Sequence, residues 1–85
     1  MSVTEQGLRE KIESAIPGVY HIIVTDLSYG CGQSFDIVVV SNFFQGKNKL
    51  MRSRAVNKAV EEELQEIHAF SCKCYTEDEW SKIVV

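Results

Sequence analysis

The run Ser34-Phe35-Asp36-Ile37-Val38-Val39-Val40-Ser41 constrains the fold more than any other part of this chain. In an extended segment Phe35, Ile37 and Val39 face one way while Val38 and Val40 face the other, so both sides of a single strand are apolar. Such a strand belongs at the centre of a sheet, with at least partial cover on both faces. The 85 residues make one domain, residues 1–85. A chain of this size buries only about 60% of its unfolded surface, which keeps the core thin.

The flanking patterns supply the cover. From Thr4, placed to cap, Leu8, Ile12, Ala15 and Ile16 recur at helical spacing until Pro17-Gly18 ends the segment. Tyr20 to Asp26 reads as a first strand, and the turn residues Leu27 to Gly32 join it to the second as a hairpin. After a break at Asn42 to Gly46, a long helix is expected around Leu50 to Leu64, with Val56, Ala59, Val60 and Leu64 inward. A third strand then runs from Ile67-His68-Ala69-Phe70 into Ser71-Cys72-Lys73-Cys74-Tyr75, with His68, Phe70, Cys72 and Cys74 on one face. In the last helix Thr76 and Glu79 have the spacing of a capping box, Tyr75 and Trp80 that of a hydrophobic staple, and Trp80, Ile83 and Val84 give an apolar face. The fold class is α/β (α+β), a small mixed three-stranded sheet in the order α-β-β-α-β-α. Strands one and two are expected antiparallel, and strands two and three parallel through a right-handed crossover.

The longest apolar run, Ile37 to Val40, is far short of the roughly 20 residues that cross a bilayer. Three cysteines cannot all pair internally, so a disulfide scaffold is disfavoured and an intracellular, reducing setting is expected. The formal net charge of −3 argues mildly against non-specific nucleic-acid binding. Charge is nonetheless uneven: Lys47, Lys49, Arg52, Arg54 and Lys58 precede Glu61, Glu62, Glu63 and Glu66. The plain reading is a solvated helix surface, and the sharper one is a docking face or an anionic partner. Asp26, Asp36, Ser34 and Ser53 have no companions that would build a hydrolase site, so no catalytic residue is assigned.

The chemistry lies in Tyr29-Gly30-Cys31-Gly32-Gln33 and in His68. If strands two and three start at one edge of the sheet, that edge also carries the Cys31 loop, and His68 comes near Cys31. One thiolate and one imidazole are good ligands for iron or zinc but only half of a four-ligand site. A two-iron, two-sulfide cluster needs two outer ligands on each iron, so a pair of residues can serve half of it while another molecule supplies the rest. Gly30 and Gly32 permit close approach of a partner, or build the hairpin turn. Cys72 and Cys74 read first as small hydrophobes on the inner strand face. The rival is a closed zinc site of His68, Cys72 and Cys74.

These residues together resemble the BolA-like family, and in particular its cytosolic branch, which includes a fungal member involved in iron regulation. The resemblance runs from about Leu8 to Trp80 through Gly30-Cys31-Gly32, Phe35 to Ser41, Phe44-Gln45-Gly46, Arg52-Ser53-Arg54 with Val56 and Asn57, Ile67-His68-Ala69-Phe70, and Thr76 to Trp80. It implies a fold similar to the second type of KH domain. It further implies a non-enzymatic adaptor sharing a [2Fe–2S] cluster with a monothiol glutaredoxin and its glutathione, with His68 as the more dependable ligand and Cys31 as the second. Arg52, Arg54 and Lys58, with Gly30 and Gly32, are then the residues expected to dock the partner. For the fungal member the likeness also implies an aminopeptidase-like partner, relay of iron status to an iron-responsive transcription factor, and residence in the cytoplasm with the nucleus as a second compartment. Many relatives read Arg-His-Arg where this chain has Arg52-Ser53-Arg54, so a role for that middle histidine is closed here. The alternative function is a small nucleic-acid-binding regulator using the basic start of the long helix. It is weakened by the lack of a Gly-x-x-Gly clamp.

Overall fold

The computed structural model describes residues 3–27 and 33–83. Strands β1 (Val19–Asp26), β2 (Ser34–Ser41) and β3 (Ala69–Tyr75) form one sheet in the order β1-β2-β3. The strand with two apolar sides is indeed central, antiparallel to β1 and parallel to β3. Helices α1 (Glu5–Ala15), α2 (Lys49–Ala59), α3 (Glu61–Leu64) and α4 (Glu77–Ile83) complete the expected order, with a single 3-10 turn at Asn42–Phe44. No helix among the described residues is long and apolar enough to cross a membrane.

Helix α1 starts where Thr4 Oγ1 accepts a hydrogen bond from the Gly7 amide at 3.0 Å. It buries Leu8 and Ile12, and Ile16 follows them into the core, while Ala15 is exposed. Past Pro17 the chain turns at Gly18 with φ of 64°, a left-handed conformation that favours glycine. One face of the sheet gives Val24, Phe35, Ile37 and Val39 to the same core, joined by Phe44, Val56 and Val60. Complete burial of each large apolar side chain contributes on the order of 1.5–3 kcal/mol. The register places Phe70, Cys72 and Cys74 beside Phe35, Ile37 and Val39, which makes the inner face of β3 a half-buried margin of that core.

Helix α4 covers part of the other face. Trp80 lies 5.7 Å from His21 and 5.8 Å from Tyr75, ring centre to ring centre. Those two residues flank Val40 in the register, which explains why Val40 is fully buried while Val38 remains half-buried. Further along the same face Ser71 Oγ donates to Asp36 Oδ1 at 3.0 Å. The distal part of α4 is open, with Ile83 exposed, and Val84 lies outside the described residues.

The single long helix expected around Leu50 to Leu64 is divided. Val60 leaves helical geometry with φ −119° and ψ 24°, separating α2 from α3. Val56 and Val60 are nevertheless buried and Ala59 and Leu64 pack against the core, so the inward stripe survives the break.

Arg52 also departs from expectation. Its guanidinium donates to the Cys74 carbonyl at 3.1 Å and to Glu79 Oε1 at 2.7 Å, and its Nε donates to the Lys47 carbonyl at 2.7 Å. Its side chain is only 13% exposed. Glu79 in turn accepts from the Thr76 amide, and the Glu79 amide donates to Thr76 Oγ1, which closes the predicted capping box. The bond from Arg52, followed by that from the Thr76 amide, holds the Glu79 carboxyl below its ordinary range. Ionised Glu79 therefore stabilises the fold above that range, and the contribution is lost as pH falls through the lowered value. Glu79→Gln is expected to lower the melting temperature at about pH 7 and to narrow its gap to wild type by about pH 3, as thermal melts would record. A constant gap would contradict the ionic origin.

Candidate metal centre

The parallel pairing of β2 and β3 begins at Ser34 and Ala69, so the two strands start at one rim. Immediately before them, the amides of His68 and Ala69 both donate to the Gln33 carbonyl, at 2.6 and 3.2 Å. The His68 backbone is thereby fixed while its side chain stands exposed. On the hairpin side the Leu27 amide donates to the Ser34 carbonyl at 2.8 Å and closes the base of the connection between β1 and β2.

Gln33 has a second task that sequence reasoning missed. Its side-chain oxygen accepts from the Val3 amide at 3.1 Å, and its side-chain nitrogen donates to the Val3 carbonyl at 2.8 Å. One residue thus ties the start of the chain, the end of the hairpin connection and the entry to β3 together. Nothing in a lone glutamine beside a turn signals this, because its partners come from distant parts of the chain. Gln33→Ala is expected to leave the His68 amide bond intact but to free Val3, with a loss on the order of 1 kcal/mol. Faster hydrogen exchange confined to the Val3 amide and its neighbours would show it, and unchanged exchange there would refute it.

His68 is where the expected site needs it, at the shared rim. Cys31, Gly30 and Gly32 lie outside the described residues, and Cys31 precedes Gln33 by two positions. The closed zinc site of His68, Cys72 and Cys74 is not assembled. Cys72 and Cys74 sit on the core side of the sheet, His68 is exposed ahead of the strand, and among the described residues no three of His, Cys, Asp and Glu converge on a metal position.

The basic block is also resolved into parts. Arg52, expected at the partner-docking face, braces β3 and α4, as described, so its guanidinium is engaged within the fold. Lys47 donates to the Phe43 carbonyl at 3.0 Å and lies 4.2 Å from the centre of the Phe43 ring. Lys49, Arg54 and Lys58 are exposed. Arg52 reaches Cys74 and Ser53 reaches Cys72, so α2 runs antiparallel to β3 and its Lys58 end advances toward the His68 rim. The acidic run is answered from α1, where Lys11 lies 3.0 Å from Glu63 and 3.7 Å from Glu62.

A family model described as BolA-like protein matches residues 19–79, which include the whole sheet and the His68 rim. The chain belongs to the BolA-like family. Its BolA-like relatives include BolA-like protein 2 of Saccharomyces cerevisiae, 92% identical over 85 residues, covering 100% of this chain and 71% of that protein. BolA-like protein 2 of Homo sapiens is 40% identical over 83 residues, covering 96% of this chain and 95% of its own length. Among solved structures, the solution structure of yeast Fra2 superposes with a TM-score of 0.75 at 92% identity, covering 100% of this chain and 91% of that one. The crystal structure of a bol-like protein from Babesia bovis gives 0.88 at 38% identity, covering 98% and 95%. The mixed sheet with helices in α-β-β-α-β-α order is thus the BolA-like fold.

Proposed function

We propose that His68 is this chain's principal ligand in a cluster-bridged complex, with Cys31 as the second ligand. The protein is a non-enzymatic adaptor that shares a [2Fe–2S] cluster with a monothiol glutaredoxin and glutathione. The observation that carries the site is the exposed side chain of His68 at the parallel rim, on a backbone fixed to Gln33. The donor chemistry fits the cluster. An accessible imidazole is a good iron ligand, and a rim without three converging donors among the described residues suits shared rather than enclosed coordination. A neutral imidazole in place of a thiolate lowers the negative charge around the irons and raises their potential.

The residues of the chain divide the remaining work. Gln33 positions the His68 backbone and fixes the chain just after Cys31. Exposed Arg54 and Lys58 on α2 offer positive charge that orients an acidic surface of the partner and speeds encounter. Gly30 and Gly32 let the partner approach the connection closely. This reading is preferred to the nucleic-acid one because Arg52 and Lys47, two of the five basic residues, are engaged within the fold.

Mixing the protein with a monothiol glutaredoxin, glutathione, iron and sulfide tests the reading. The visible circular dichroism of the mixture is expected to differ from that of the glutaredoxin with the same reagents. Identical spectra at all ratios would overturn it. Cys31→Ser is expected to alter the spectrum less than loss of His68, and no alteration at all would remove Cys31 from the site. Relay to an iron-responsive transcription factor, an aminopeptidase-like partner, and residence in cytoplasm and nucleus belong to the same proposal. Their support is the likeness to the fungal branch. Co-purification from iron-replete cells, with fractionation, is the direct test.

A further inference from the structure

A second chemical feature lies away from the His68 rim. Between the first half of α2 and the inner side of β3 is a cleft of about 310 Å³ lined by Lys49, Arg52, Ser53, Cys72, Lys73, Cys74 and Tyr75. That is the small end of the range of about 300–1,000 Å³ found for ligand pockets. Both thiols on β3 face it and both are half-buried. Cys72 Sγ lies 4.0 Å from Ser53 Oγ, and Cys74 Sγ lies 3.9 Å from the Arg52 carbonyl oxygen.

The geometry points to Cys72 as a site of thiol–disulfide exchange, taking half of a small anionic disulfide of the glutathione disulfide class into this cleft as a mixed disulfide. Three observations carry this. The side chain, at the margin of the core, also lines the cleft. The Ser53 hydroxyl lies 4.0 Å from its sulfur, a group able to donate to a thiolate, whereas Cys74 Sγ faces the Arg52 carbonyl oxygen at 3.9 Å. An exposed cation, Lys49, with no ion pair among the described residues, lines the cleft and can take a carboxylate of the incoming disulfide, whereas the Arg52 charge is already paired with Glu79.

Cys74 supports Cys72 without being its disulfide partner. Residues two apart on one strand stand about 6.6 Å from each other with parallel side chains. A disulfide needs Cβ atoms about 3.5–4.5 Å apart, which β3 cannot provide while Cys72 and Cys74 remain paired with Ile37 and Val39. The Cys74 thiol instead donates to the Arg52 carbonyl at 3.9 Å. The neighbouring Cys74 side chain, followed by Ser53, outweighs burial and the Asp36 carboxylate and brings Cys72 down to about 7, while Cys72 and burial push Cys74 far up despite Arg52. A thiolate near neutrality in a partly open, positive setting is the reactive form of cysteine.

The exchange balances without another reagent. Cys72 thiolate attacks one sulfur of the disulfide, a new S–S bond forms at Cys72, the old S–S bond breaks, and the other half departs as a thiolate that is protonated by solvent. With Cys74 held too far away to displace the adduct, the mixed disulfide persists until an external thiol removes it.

The test uses Cys31→Ser, which removes the remaining thiol, treated with glutathione disulfide near pH 7.5. Trypsin cuts after Lys73, so Cys72 and Cys74 fall on separate peptides. One glutathionyl adduct is expected by intact mass, on the Cys72 peptide. In the same background Cys74→Ala is expected to slow Cys72 alkylation at about pH 7 by about tenfold, as its thiolate fraction falls toward that of an ordinary thiol. Lys49→Ala is expected to slow reaction with glutathione disulfide but not with neutral iodoacetamide. No adduct, equal labelling of Cys74, or Cys72 and Cys74 peptides linked by a disulfide would each overturn the inference.

Discussion

Replacing His68 by alanine is expected to abolish the spectrum of the mixed complex: with glutaredoxin, glutathione, iron and sulfide, the variant should give the circular dichroism of the glutaredoxin sample alone. The expectation follows from exposure. The side chain at this position makes no contribution to the core, so its removal leaves the sheet and the far-ultraviolet spectrum as they were. Surface substitutions of this kind change stability by no more than about 0.5 kcal/mol. The hydrogen bond that holds residue 68 to Gln33 uses the backbone amide and survives the change. Loss of signal with an unchanged melting curve would therefore report on ligation alone. A His68→Ala complex that keeps the wild-type spectrum and the same resistance to chelator would end the ligand assignment.

Phe44→Ala is expected to destabilise the fold by about 3–5 kcal/mol. Phe44 is fully buried in the turn after β2, where it meets Phe43 edge to face at 5.8 Å and packs with the core beneath the sheet. Domains have about 5–15 kcal/mol in total, and a chain this short has few other large side chains to compensate. The melting temperature should drop by about 15 °C or more. Phe44→Leu, which retains most of the volume, should recover most of the loss in urea denaturation. A deficit below about 1 kcal/mol for the alanine variant would mean that the site collapses to fill the cavity.

The strands and their pairing were legible because their signal is local and repeats. Phe35, Ile37 and Val39 against Val38 and Val40 place β2 at the centre, and the Thr76 to Glu79 spacing marks the start of α4 with its capping box. The break at Val60 was not legible. Val56, Val60 and Leu64 stay in step with a helical period whether or not the backbone between them is helical, so side-chain spacing cannot register a change in one residue's φ and ψ. The bracing role of Arg52 was hidden for a different reason. A basic residue in a basic run looks solvated until the fold brings the Cys74 carbonyl and Glu79 to it. His68 could be placed at the rim from strand order alone. Its support by Gln33, and the clasp from Gln33 to Val3, depend on contacts between parts of the chain that share no periodicity.

The clasp between Val3 and Gln33 decides how this protein should be handled. An affinity tag or fusion joined upstream of Val3 starts from a residue clasped to Gln33, which also holds the His68 backbone, and is expected to interfere with the proposed site. Helix α4 starts beyond Tyr75, at the other end of β3 from His68.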